Sequence, residues 1–144
     1  KVIYKPLPQD DPKQRQPDIT KAKQILVDTD VLIKVFRGDA EKKKILDDNK
    51  GRLSVSVITY FELLSGLKTR QRIIDLNKQM KAYDIIHLSE KISIKSLALY
   101  QKYLTSNKIG LPDSMIASTA IINDLALLTD NKKDFKFIKE LTLF

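Results

Sequence analysis

Residues 24–34 read QILVDTDVLIK. Ile25, Leu26 and Val27 make a short unbroken apolar run that stops at Asp28, the signature of a strand buried on both faces. Asp28-Thr29-Asp30 interrupts the run. Val31-Leu32-Ile33 then resumes it, which predicts a helix over Val31–Phe36 with Asp30 as its N-cap. A carboxylate where a buried strand ends lies at the rim of a sheet, and in open parallel sheets that rim is where ligands bind. The function therefore turns on which other acids can be brought to Asp28.

Outward from this stretch, strands and helices alternate. Asp39–Asn49 reads as a polar surface helix stopped by Gly51, and Leu53–Val57 as a β-branched strand. Helices are expected over Thr59–Leu67 and over Gln71–Tyr83, the latter with Ile73, Ile74, Leu76, Met80 and Tyr83 on one side. A strand at Asp84–Leu88 precedes a long helix, Glu90–Thr105, with Ile94, Leu97, Ala98 and Leu104 turned inward. Pro112 opens the next helix, DSMIASTAIIND, since proline suits the first helical position. A strand at Ala126–Thr129, a short helix near Phe135 and a strand at Thr142–Phe144 complete the order. Strands separated by helices imply a three-layer α/β/α domain around a parallel sheet. Residues 24–144 are expected to form this domain.

The 144 residues suffice for one domain with a real core. The absence of cysteine excludes a disulfide framework and a thiolate metal site. No apolar run is long enough to span a bilayer and no segment reads as a signal peptide, so no membrane partner and a cytoplasmic location are expected. Lys and Arg number 26 against 18 acids, net +8. That excess suits a polyanion such as nucleic acid as well as it suits a solvated, lysine-rich surface.

Residues 1–23 differ from the rest. Pro6, Pro8, Pro12 and Pro17 crowd into them, predicting an extended arm. KPLPQDDPKQRQPDITKAK resembles the C-terminal segment of NDP-sugar decarboxylases and dehydratases, where it lies beside the nucleotide-sugar. With no G-x-G-x-x-G after a strand and no Tyr-x-x-x-Lys pair, the arm reads as a fusion remnant without sugar chemistry.

Four places compete to hold chemistry, each with a plain structural alternative. Asp28 alone could be an Asx-turn or cap. Thr59-x-x-Glu62 fits a capping box, although its surroundings are apolar. Asp113 could merely complement a helix dipole, yet it shares a face with Ile116, Ala117 and Ala120, where an unpaired carboxylate is costly and a cation would remove the cost. Thr129, Asp130, Asn131 and Asp134 could be a polar loop. The only histidine, His87, has no nucleophile beside it and reads as structural. Tyr60, Phe61, Tyr83, Tyr100 and Tyr103 read as core or interface residues rather than a base-stacking platform.

Taken together, ILVDTDVLI, SVITYFELLSGL, LPDSMIASTA and LLTDNKKDF resemble, in order, the motifs of PIN-domain ribonucleases similar to the VapC toxins of bacterial toxin–antitoxin pairs. The resemblance runs from about residue 25 to 144. It implies that Asp28, Glu62 and Asp113 bind a divalent cation. The fourth acid varies in the family, and Asp134 is favoured here, with Asn131, Thr29 and Thr129 in support. An all-oxygen set suits Mg2+ or Mn2+ rather than zinc. The resemblance further implies RNA cleavage leaving a 5′-phosphate and a 3′-hydroxyl, a homodimer, and a cognate antitoxin that inserts a basic side chain among the acids. Arg37, Lys132, Lys133 and Lys136 are candidates for holding the RNA backbone.

Two other readings remain. Asp28-Thr29-Asp30 also resembles the opening motif of haloacid-dehalogenase-like phosphatases, with Asp28 as nucleophile and Asp130-x-x-x-Asp134 as a late metal motif. A catalytically inactive RNA- or protein-binding PIN domain is the non-enzymatic alternative.

Overall fold

A computed structural model describes residues 24–144. The arm and its sugar-enzyme resemblance lie outside the described residues. The elements are β1 (Ile25–Val27), α1 (Thr29–Phe36), α2 (Ala40–Asp48), β2 (Leu53–Ser56), α3 (Val57–Ser65), α4 (Arg70–Met80), β3 (Asp84–Ile86), α5 (Glu90–Tyr103), α6 (Leu111–Ile122), β4 (Ala126–Leu128), a 3-10 turn (Lys132–Asp134) and β5 (Thr142–Leu143).

The five strands form one sheet in the order β3-β2-β1-β4-β5, and every pairing is parallel. β1 is central, in register with β2 (Ile25 opposite Leu53) and with β4 (Ile25 opposite Ala126). Alternate side chains of each strand feed opposite faces, as the pleat requires. Ile25 and Val27 join Val31, Leu32, Leu46, Leu63 and Leu76 on one side. Leu26 and Leu127 join Leu99, Ile116, Ala117, Ala120 and Phe135 on the other. Two cores on one sheet are the three layers expected of a chain whose strands are buried on both faces.

Three local expectations are corrected. α1 is capped by Asp28, not Asp30: Asp28 is extended (φ −73°, ψ 156°) and its carboxylate accepts from Thr29 N. Strand end and helix start therefore coincide, and Asp30 falls inside the first turn. α3 begins at Val57 because Ser56 caps it, accepting from Ile58 N at 3.1 Å, so no Thr59–Glu62 capping box forms. The inward stripe of α5 is Ile92, Ser96 and Leu99, whereas Ile94, Leu97 and Leu104 are 63%, 59% and 43% exposed. Ser96 is tolerated inside because its hydroxyl donates to the Ile92 carbonyl at 2.7 Å.

α6 is the most enclosed helix, with Ser114, Ile116, Ala117, Ser118, Thr119 and Ala120 all buried. Its hydroxyls turn back on their own helix: Ser114 donates to Leu111 O, Ser118 to Ser114 O and Thr119 to Met115 O. No helix of the described residues is long and apolar enough to cross a membrane.

Candidate active site

Because all strands are parallel, their C-terminal ends share one edge. Asp28 and Thr129 follow β1 and β4 directly there. Glu62 stands in the second turn of α3, Asp113 in the first turn of α6 and Asp134 in the 3-10 turn after β4.

Asp28 is 5% exposed. Its Oδ1 accepts from Thr29 N at 2.8 Å, and its Oδ2 from the Thr129 hydroxyl at 2.8 Å. Burial, then the charge of neighbouring Asp30, pushes its pKa up to about 7 despite those two bonds. Asp113 is pushed up to about 6, first by burial and then by the charges of Asp134, Glu62 and Asp30. These shifts mark one cluster of like charges drawn from four separate parts of the chain.

Glu62 is held by Thr29, whose hydroxyl lies 2.7 Å from Oε1. The same hydroxyl lies 2.9 Å from that of Thr59. A hydroxyl has one proton, so with Thr29 donating to the carboxylate, Thr59 must donate to Thr29. Thr59 is fully buried and stands one helical turn before Glu62.

Asp30, read from sequence as a cap, turns out to join the cluster. Its Oδ1 accepts from Val31 N at 2.8 Å, while Oδ2 accepts from Asp130 N at 3.2 Å and Asn131 Nδ2 at 3.0 Å. The sequence signal was the second acid of Asp28-Thr29-Asp30, but its partners lie a hundred positions away. Asn131 N donates to the Thr129 hydroxyl at 3.1 Å.

Asp130 faces elsewhere. Its carboxylate meets Lys34 Nζ at 2.5 Å and Lys42 Nζ at 2.6 Å. Burial alone would raise its pKa, but the two ammonium groups outweigh that and hold it below the usual carboxylate range. With Asp130 turned to these lysines, the late metal motif required by a phosphatase is not assembled. Lys132, Lys133 and Lys136 are exposed around Asp134. Arg37 is exposed and closes α1 at the end opposite Asp28. His87 is exposed beyond β3.

The donor set fits a hard divalent cation. It is all oxygen, and among the described residues no Lys or Arg pairs with Asp28, Glu62, Asp113 or Asp134. No three acidic or imidazole side chains among the described residues already stand close enough to enclose an ion by themselves. An ion bound here would take one or two carboxylates directly and complete its shell with water, as Mg2+ does.

Comparison with known proteins agrees with this architecture. The PIN domain family matches residues 25–141. The chain is 35% identical over 120 residues to Ribonuclease VapC1 of Methanocaldococcus jannaschii, covering 83% of this chain and 84% of that protein. It is 33% identical over 120 residues to Ribonuclease VapC10 of Mycobacterium tuberculosis, covering 81% and 90%. Among solved structures, a toxin–antitoxin complex from Klebsiella pneumoniae superposes with a TM-score of 0.72 at 34% identity, over 83% of this chain and 96% of that one.

Proposed function

The chain belongs to the PIN-domain family, and on that footing we propose that it is a divalent-metal-dependent endoribonuclease, the toxin of a toxin–antitoxin pair. The observation that carries this reading is the field at Asp113, raised by Asp134, Glu62 and Asp30 together with no described cation among them. Acids so placed would repel a phosphodiester unless a metal inverted the local sign.

In this reading Asp28, Glu62, Asp113 and Asp134 would hold Mg2+ or Mn2+ between them, one or two directly and the others through its waters. When bound, the ion supplies the positive charge that admits the phosphate, activates water and stabilises the leaving oxygen. The chain's own groups do the rest. Thr129 orients Asp28 and Thr29 orients Glu62. Lys132, Lys133 and Lys136 offer charge to the RNA backbone beside Asp134. Water adds to phosphorus as the bond to the 3′ oxygen breaks, leaving a 5′-phosphate and a 3′-hydroxyl. The protein acts as a homodimer restrained by an antitoxin, whose basic side chain enters the acid cluster and replaces the charge of the metal.

The test is cleavage of tRNA and mRNA by purified protein with Mg2+ or Mn2+. Wild type cleaves, and Asp28→Asn and Asp113→Asn fall by about 100-fold or more, since even groups that only orient ligands reach that loss. Equal cleavage by the variants overturns the site.

A further inference from the structure

We infer that Lys42, assisted by Lys34, is a positioning residue of this site: acting through Asp130, it fixes the loop after β4 that carries Thr129, Asn131 and Asp134. The inference rests on the reading of the acid cluster as the metal site.

Asp130 is gripped at both ends. Its carboxylate divides its two oxygens between two lysines, Oδ2 toward Lys34 and Oδ1 toward Lys42. Its backbone N–H donates to Asp30 Oδ2. Asp30 and Lys34 lie four residues apart on α1, hence on one face of that helix, and both hold the same loop. Lys42 comes from α2 and closes the grip from a third element.

The Lys42 side chain is only 18% exposed and Asp130 is equally shielded. Shielded ion pairs are screened less than surface ones, so this contact can define a geometry. The shielding also commits the Lys42 ammonium to Asp130 rather than to a phosphate. Beyond Asp130 the connection continues without a gap: Asn131 bonds Asp30 and the Thr129 hydroxyl, and Thr129 bonds Asp28. A charge on α2 thus holds the loop that sets Thr129 against Asp28 and from which the turn bearing Asp134 departs, with no contact of its own to substrate.

The experiment uses the full chain, four single variants at Lys42 and Asp130, their Lys42→Met/Asp130→Asn double, and Asp28→Asn as a control. Lys42→Met keeps the stem without the charge, Lys42→Gln is a second neutral form, Lys42→Arg keeps the charge, and Asp130→Asn keeps the backbone donor. Readouts are kcat and KM for RNA, Mn2+ affinity by electron paramagnetic resonance without RNA, and circular dichroism to select folded variants. Lys42→Met and Lys42→Gln should lower kcat about 10-fold and weaken Mn2+ binding several-fold at unchanged KM. Lys42→Arg should recover most of the loss. In the Asp130→Asn background, Lys42→Met should add nothing, because a residue acting through another has no effect once its intermediary is gone.

A raised KM with a shallower salt dependence and unchanged kcat would make Lys42 an RNA contact and overturn the inference. Losses that multiply in the double variant, or unchanged kcat and Mn2+ affinity, would also overturn it. Asp28→Asn run alongside separates the two levels. Activity surviving that change overturns the nuclease site itself, whereas loss there with Lys42→Met intact overturns only the positioning role.

Discussion

Thr59 shows how much a single buried hydroxyl decides. It touches no substrate, yet it sets the direction of the Thr29 proton and so the hold on Glu62. Thr59→Val should destabilise the fold by about 1 kcal/mol, the net worth of one hydrogen bond, and lower kcat about 10-fold as Glu62 loses its orientation. Thr59→Ser should restore both, as melting curves and steady-state cleavage would show. Asp28 makes a second residue-level prediction. Its folded pKa of about 7 lies above the ordinary 3.8, so the folded state binds its proton more tightly. The stability this group contributes is full below 3.8 and is lost as pH rises through about 7. In metal-free buffer the melting temperature should fall as pH rises from 3.8 to about 7 and level off above it, and Asp28→Asn should flatten that slope. At this scale Asp28, Glu62 and Asp113 stood out as candidates because each lies beside an apolar pattern, and it was the resemblance of the four motifs together, not any one acid, that joined them. The tasks of Asp30 and Asp130 were not legible, because their partners come from distant segments and neither acid stands out from its own neighbours.

Helix starts carry the chemistry at the scale of elements, so caps matter beyond their own stability. Ser56 ends β2, caps α3 and is fully buried. Ser56→Ala should cost about 1 kcal/mol and loosen the turns bearing Thr59 and Glu62, lowering cleavage more than the melting shift alone explains. The order and type of elements were readable from periodicity and punctuation, and helix starts erred by two residues where two cap candidates stood close together. Asp28 and Asp30 both suit a cap, as do Ser56 and Thr59, and tertiary contacts chose the earlier one each time. α5 failed for a different reason. It has apolar residues on two stripes, and its inward one includes Ser96, whose hydroxyl satisfies itself on Ile92. Composition alone favoured the wrong stripe.

In the whole molecule, β1 is made early yet sits at the centre of the sheet, and its β4 neighbour is Ala126–Leu128. Pairing across such a separation is delayed by loop closure until the far segment exists. Asp28 likewise waits for Thr129, and Asp113 for Asp134. Chains arrested on the ribosome before Ala126 should therefore show no Mn2+-dependent cleavage, and full-length released chains should show it. An emerging polypeptide would stay unarmed until β4 and the turn after it are made, a safeguard for the very message being translated that follows from the order of the elements.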